Sequence, residues 1–183
     1  ANEARRILDA RQALHSLPIY LDDKVGLTVS EMSRRVRKLQ ASRDNLRMIA
    51  VDYVQLAKAS AKGGNREQEV SDVSRSLKQI GRDTRLPIFA VAQLNRGVEG
   101  RPVKERRPGP GDLRDSGQLE QDADLLMFIY REEVYDPTTV DKGIAEIIIA
   151  KQREGSLGTV KLHWRPQLQT FYDMERNGYG GGY

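Results

Sequence analysis

The 183-residue chain predicts an α/β protein with a mainly parallel sheet, helices on both faces and an antiparallel hairpin at its carboxyl end. Three observations carry this. Residues 46–53 and 86–92 are short, nearly uninterrupted apolar runs, as expected of buried central strands. Between them Val70, Val73, Leu77 and Ile80 recur at helical spacing, so the order is strand, helix, strand, which favours a parallel pair joined by a right-handed crossover. Residues 158–164 and 169–172 then read as two strands of a terminal hairpin.

Taken in order, residues 2–15 have a helical pattern with Ile7, Leu8, Ala10 and Leu14 as the expected buried side. Pro18 stops that helix, and Ile19-Tyr20-Leu21 reads as a short strand ending in Asp22-Asp23. Thr28-Val29-Ser30-Glu31 matches a capping box, in which Thr28 and Glu31 satisfy each other's free backbone N–H groups. Behind it Val29, Met32, Val36 and Leu39 mark an inner helix face, while Arg34, Arg35, Arg37 and Lys38 form a solvated face or a nucleic-acid contact. Residues 57–65, small and polar with Gly63-Gly64, read as a mobile loop. Pro87 stands near the start of the second strand, where no ladder bond need be lost.

The pattern breaks at residues 97–111, which hold Pro102, Pro108, Pro110 and the run Lys104-Glu105-Arg106-Arg107. A loop this long in a compact domain is functional or disordered. Six basic residues between 96 and 114 face only Glu99, Glu105 and Asp112, so the segment is locally positive. Residues 125–130 and 144–150 are two further strands, and the glycine-rich tail 177–183 is expected to be disordered. Residues 1–176 read as one unit, without repeats or a second domain.

Composition narrows the function classes. Hydrophobic residues make up 38% and charged residues 31%, and no apolar stretch approaches the roughly 20 residues that span a bilayer. The amino terminus lacks a signal-peptide pattern. With no cysteine, disulfides, thiolate zinc sites and cysteine nucleophiles are excluded, which suits a cytoplasmic protein. The net charge of +4 and pI near 9.4 point weakly to a polyanionic partner.

Candidate chemistry gathers at strand ends. Asp52 closes the first apolar run, where open α/β sheets bind ligands; it either holds a metal ion or caps the next turn. Gln93 closes the second, so a carboxylate and an amide share one sheet edge, a pairing suited to phosphate chemistry. The acid can hold Mg²⁺, and the amide can hydrogen-bond an attacking water or a γ-phosphate oxygen without titrating. Lys151 and Arg153 follow another strand, and alternation puts both on one face, toward a shared target or toward solvent. Gly117 can be a turn residue, and Arg114 a surface partner of Asp112 or Asp115. His15 and His163 read as structural, and Tyr53 and Trp164 as packing residues. The acidic stretch 120–124 has a metal-site composition but reads better as a loop and cap before a strand.

Met48-Ile49-Ala50-Val51-Asp52-Tyr53-Val54-Gln55-Leu56 resembles the Walker B segment of DnaB-type replicative helicases. The resemblance continues through Asn65-Arg66-Glu67-Gln68-Glu69-Val70, Ser74-Arg75-Ser76-Leu77-Lys78 and Ala92-Gln93-Leu94-Asn95-Arg96. It then takes in Asp112-Leu113-Arg114-Asp115-Ser116-Gly117-Gln118-Leu119-Glu120-Gln121-Asp122-Ala123-Asp124 and Ile147-Ile148-Ile149-Ala150-Lys151-Gln152-Arg153-Glu154-Gly155. The motifs occur in family order from about residue 17 to 173, and the ordered set is far more specific than any one of them.

This resemblance implies a RecA-like P-loop NTPase core in a homo-hexameric ring that uses ATP and Mg²⁺ to move along single-stranded DNA and unwind duplex. Primase and a helicase loader are the further partners it implies. Asp52 resembles the Walker B acid of the nucleotide and metal site, and Gln93 the γ-phosphate sensor coupled to the DNA-binding loop, about residues 96–117. Lys151 and Arg153 resemble the pair that reaches a neighbouring subunit's nucleotide, with Arg153 as arginine finger; a planar, permanently charged fork suits that task. Arg114, Asp115 and Gly117 resemble DNA-contacting loop residues. Asp115 departs from the family's frequent Glu, which a backbone contact to phosphate tolerates and a side-chain contact does not.

No G-x-x-x-x-G-K-[ST], whose backbone N–H groups and Lys cradle phosphates, occurs in the chain. The resemblance places that loop and the water-activating glutamate upstream of Ala1. These residues are therefore expected to be the carboxyl-terminal part of a motor domain, exposing a sheet edge and inactive alone. Two other readings stay open: a non-catalytic RecA-like DNA-binding or assembly module, and a RecA- or clock-type hexameric ATPase without unwinding activity. The segment 112–124, which matches the helicase loop, argues against the second.

Overall fold

The computed structural model describes residues 2–43, 45–59, 65–102, 105–113 and 117–174. The first helix, α1 (Asn2–His15), forms where its periodicity predicts. Its apolar side, however, is not buried: Ile7, Leu8 and Leu14 are all more than half exposed, and Ala10 is exposed. An amphipathic stripe sets which face can be buried but cannot supply the surface that buries it. The same reason corrects the next expectation. Residues 19–21 form no strand, and Leu21 stands almost fully in solvent, because a strand needs a ladder partner for its N–H and C=O groups.

Helix α2 (Val29–Ser42) starts at the expected capping box: the Glu31 N–H donates to Thr28 Oγ1 at 3.3 Å, and the Thr28 N–H to Glu31 Oε2 at 3.1 Å. That N–H, helped by the Thr28 hydroxyl and by Lys24, holds the Glu31 carboxyl at a pKa of about 2. Two cations of its polar face are ion-paired, Arg35 with Asp22 and Arg37 with Asp83 at 2.7 Å. The strands β1 (Ile49–Val51) and β2 (Ile88–Ala90) pair in parallel, Ile49 with Ile88 through Val51 with Ala90. Between them runs α3 (Arg66–Thr84), capped by Asn65, whose Oδ1 accepts from the Gln68 N–H at 2.9 Å.

The core is the underside of α3. Val70, Val73, Leu77 and Ile80 pack with Val29, Val54 and Ala57, and Met32, Ile49, Val51, Ile88 and Leu119 close around them. Gly81 lets α3 approach β2: a Cβ there would lie 3.2 Å from the Leu86 carbonyl oxygen. Ile49 and Val51 face this helix; Ala50 and Phe89, on the opposite face, are exposed. The two strands were expected to be fully buried. In fact helices cover one face of the pair, and both strands are short. Ala57 and Lys58, expected in a mobile loop, are anchored: Ala57 is buried, and Lys58 bridges Thr28 in parallel, its N–H donating to the Leu27 carbonyl at 3.0 Å. Residues 60–64 lie outside the described residues, as does the tail from residue 175.

The second half is antiparallel. After the short α4 (Gly117–Asp122), the strands β3 (Leu125–Tyr130), β4 (Ile144–Gln152), β5 (Gly158–Arg165) and β6 (Thr170–Asp173) form one sheet in chain order. The α/β class is as expected, but the antiparallel part is twice a hairpin. Residues 131–143 return the chain through a 3-10 turn at Glu132–Val134 instead of a crossover helix, so β4 runs back along β3. Trp164 packs on Phe171 with ring centroids 4.7 Å apart, under the Arg131 guanidinium.

Exposed apolar side chains at α1, residues 17–25, Met48, Phe89 and Val91 exceed what a stable monomer shows. Expressed alone, the 183 residues should bind a hydrophobic dye, self-associate in sedimentation and melt without a sharp transition; a cooperative melt of a dye-free monomer would contradict this.

Candidate functional site

At the carboxyl ends of β1 and β2 the backbone ladder continues for one more step. The Val91 N–H donates to the Val51 carbonyl and the Val54 N–H to the Val91 carbonyl, both at 2.9 Å. Here the chain leaves the sheet: the Asp52–Tyr53 peptide is cis, and Val54–Leu56 is a 3-10 turn. Asp52 is exposed on this edge, and its carboxylate has no hydrogen-bond or ion-pair partner among the described residues. The capping role that the sequence left open is therefore not taken up. Gln93 is also exposed, with its side-chain amide unengaged among the described residues. Its main chain is held instead, by Gln55: the Gln93 N–H donates to Gln55 Oε1, and Gln55 Nε2 donates to the Gln93 carbonyl, each at 3.2 Å.

Two residues beyond Gln93 the long loop begins, and it is a built structure. Leu94 bridges Leu113 in antiparallel fashion and the Asn95 N–H donates to the Asp112 carbonyl at 2.8 Å, so both ends of the loop are pinned together. The buried Asp112 carboxylate accepts from both terminal nitrogens of Arg101 and from the Gly109 N–H at 2.9 Å. Arg101 above all, then the Gly109 N–H, holds its pKa below the usual carboxylate range. Arg107 grips Glu146 of β4 with two bonds of 2.9 Å and lies over the Tyr130 ring. Tyr130 stacks on Tyr135, which lies under Arg106. The Arg107 bonds likewise hold Glu146 below its ordinary value against the opposing effect of burial.

These contacts correct the picture of a locally positive segment. Arg101, Arg106 and Arg107 are folded into ion pairs and ring contacts that shape the loop. Asp112, offered as a partner for Arg114, belongs to Arg101. Arg114 and Asp115 lie outside the described residues, and Gly117 opens α4 with free space where a Cβ would stand.

A second cluster sits at the far end of β4. Lys151 Nζ donates to the Glu120 carbonyl at 2.5 Å and the Gln121 carbonyl at 3.0 Å, closing the end of α4. Arg153 pairs with Asp124 at 3.2 Å and its N–H donates to the Asp124 carbonyl at 3.1 Å. Asp124 also takes Lys78 of α3, which is the main reason its pKa is lowered. The acidic stretch 120–124 thus serves as helix end and ion-pair partner, in keeping with the cap reading. Among the described residues no group of three or more His, Asp or Glu side chains is placed to hold a metal ion. The structure brings Asp52 and Gln93 to one edge but puts Lys151 and Arg153 on a different sheet, with partners of their own.

Sequence reasoning missed Gln55, Asp124 and the Arg107–Glu146 pair. Only Glu146 announced itself, as a charge inside the apolar run of β4, where burial implies a partner. Gln55 looks like any polar residue in a turn.

A parallel β–α–β unit with an acid and an amide at its carboxyl edge, followed by an antiparallel sheet, defines the RecA-like class of helicase ATPase domains. Two solved structures match it closely. One, a helicase ATPase domain, superposes with a TM-score of 0.90 at 34% identity, covering 96% of this chain and 61% of that one. A DnaB-like replicative helicase, solved in a study of its interactions with primase, gives a TM-score of 0.89 at 34% identity, covering 96% of this chain and 42% of that one.

The chain belongs to the DnaB-like helicase C terminal domain family, which matches residues 1–173. It is 47% identical over 156 residues to the replicative DNA helicase DnaB of Pasteurella multocida, with 85% of this chain and 33% of that protein aligned. With the replicative DNA helicase DnaC of Bacillus subtilis it shares 45% over 168 residues, 91% of this chain and 36% of that one. The chain thus spans about a third of these relatives' length.

Because the folded pKa of Asp112 is depressed, its hold on the loop is complete above the ordinary carboxylate pKa of about 4 and is lost as pH falls through the folded value. The Gly109 amide resonance, followed by NMR on acid titration, should move with a midpoint below about 4.

Proposed function

We propose that this chain is the carboxyl-terminal part of the motor domain of a hexameric replicative helicase, which couples ATP hydrolysis at subunit interfaces to translocation on single-stranded DNA and to unwinding. Residues 1–176 form that part, with the DNA-binding loop at about 96–117. The observation that carries the reading is the shared edge where Asp52 and Gln93 present unengaged side chains immediately before a pinned loop. Family membership and the ordered motifs support the rest.

Bound Mg²⁺·ATP supplies the γ-phosphoryl group and the cation that neutralises it. Asp52 fits that cation: it is an exposed carboxylate at a strand end with its oxygens uncommitted. Gln93 offers its amide to a γ-phosphate oxygen or to the attacking water, and its neighbour Leu94 carries the Leu113 bridge at the root of the loop. Arg153 serves the nucleotide of an adjacent subunit, exchanging Asp124 for phosphate oxygens of higher charge density. Lys151 stands beside it, paired with carbonyls rather than with a carboxylate. Arg114, Asp115 and Gly117 contact the DNA backbone. Primase and a loader are the expected further partners.

In the intact hexamer Arg153→Ala should lower ATP turnover about a thousandfold or more while leaving nucleotide binding near wild type, since a finger acts on a neighbour's transition state. Wild-type turnover in that variant would remove Arg153 from the role. Arg114→Ala should weaken single-stranded DNA binding and reduce the slope of log affinity against log salt by about 1, as when one phosphate contact is lost. An unchanged slope would assign Arg114 elsewhere.

A further inference from the structure

We propose that Gln55 is a positioning residue: its side-chain amide holds the Gln93 main chain in register with the turn that follows Asp52, and so passes the state of the acid-bearing edge to the root of the loop. This rests on the reading of Asp52 and Gln93 just given. Backbone pairing between the two strands ends at Val91, because the chain beyond Asp52 turns out of the sheet. Gln93 would otherwise present an N–H and a carbonyl to solvent. Gln55 supplies both missing bonds from one side chain, its Oε1 accepting from the Gln93 N–H and its Nε2 donating to the Gln93 carbonyl, each at 3.2 Å. Only an amide carries a donor and an acceptor side by side in the pattern of a backbone strand. Glu in its place keeps the acceptor and sets a carboxylate against the Gln93 carbonyl. Asn is a methylene too short.

The anchor of Gln55 is itself fixed. Its carbonyl accepts from the Arg66 guanidinium at the start of α3, and Arg66 also pairs with Glu69 at 2.9 Å. Val54, the residue before it, is wholly buried in the α3 core and donates to Val91. The turn carrying Gln55 is thus clamped on α3 from both sides, while Gln93 leaves its own side chain free for ligand. One residue further, Leu94 bridges Leu113, and the Asn95 N–H donates to Asp112. Three residues separate Asp52 from Gln55, and one bond step separates Gln93 from the pinned loop. A shift of the Asp52 turn therefore reaches the loop through two hydrogen bonds and one bridge.

The test uses the intact hexamer carrying Gln55→Ala, Gln55→Glu and Gln93→Ala, singly and with Gln55→Ala combined with Gln93→Ala. Gln55→Ala should lower single-stranded-DNA-stimulated ATP turnover about tenfold in the wild-type background and less than about twofold on Gln93→Ala, because residues that act through one another do not add. A full tenfold loss on both backgrounds would make Gln55 merely structural and overturn the proposal. Hydrogen exchange gives a second readout without turnover: in Gln55→Ala the Gln93 amide should exchange at least about tenfold faster, with the Ile88–Ala90 amides unchanged. Unchanged protection at Gln93 would also overturn it. Gln55→Glu, which keeps one of the two bonds, should show an intermediate loss, and it decides the question if Gln55→Ala does not fold. Retained turnover in Gln93→Ala itself would instead strike at the role of Gln93, which separates failure of the functional reading from failure of this one.

Discussion

The buried stripe of α3 is the contact on which the nucleotide edge depends. β1 and β2 are three residues long each, too short for a two-stranded pair to be stable in water. They hold because Val70, Val73, Leu77 and Ile80 cover Ile49, Val51 and Ile88 from one side, with Val54 and Ala57 closing the end. Burying one such side chain is worth about 1.5–3 kcal/mol, so the stripe outweighs any single polar contact in this half of the chain. Everything that presents Asp52 and Gln93 to a ligand hangs from that packing: the strand ends, the turn at Val54–Leu56, and the Gln55 amide that bridges the two.

A different physics shapes the loop. Residues 105–113 bury little apolar surface, and only Val98, Pro108 and Leu113 near them are enclosed. Order comes from two acids that each gather a guanidinium: Asp112 with Arg101, and Glu146 with Arg107. The Asp112 pair closes the loop on itself, and the Glu146 pair fastens it to β4. Both carboxylates are buried while both guanidinia are partly exposed, so the pairs cost less desolvation than enclosed ones and still fix direction, because each is a two-point grip. The Tyr130–Tyr135 stack between Arg106 and Arg107 extends the attachment along β3.

Through Glu146 the loop is tied to the strand whose far end carries Lys151 and Arg153. Those two side chains are occupied within the chain, by the end of α4 and by Asp124. Asp124 in turn takes Lys78 from α3, which links the antiparallel sheet to the helix that supports the other edge. The two halves are thus connected by charge where they share little apolar surface, and such contacts can be exchanged for phosphate oxygens without unmaking a core.

Much of this was legible in the residue order. Periodicity announced α3 and its stripe, the capping box announced the start of α2, and apolar runs ending in Asp52 and Gln93 announced two strands and a shared edge. These are local facts, set by spacing along one chain. Whether a face finds a partner is not local. Ile7, Leu8 and Leu14 have the same spacing as the α3 stripe and stand in solvent, and residues 19–21 have strand composition and no ladder. The basic residues of the loop look alike in sequence, yet Arg101 and Arg107 bind acids 11 and 39 residues away. The sequence by itself determined which segments are helical or extended and which side chains carry the chemistry, because backbone preference and side-chain type are properties of neighbours. Only the tertiary structure decided that Gln55 holds Gln93 and that the loop's charges are inward, because hydrogen bonds and ion pairs between distant segments exist only once the packing has brought them within about 3 Å.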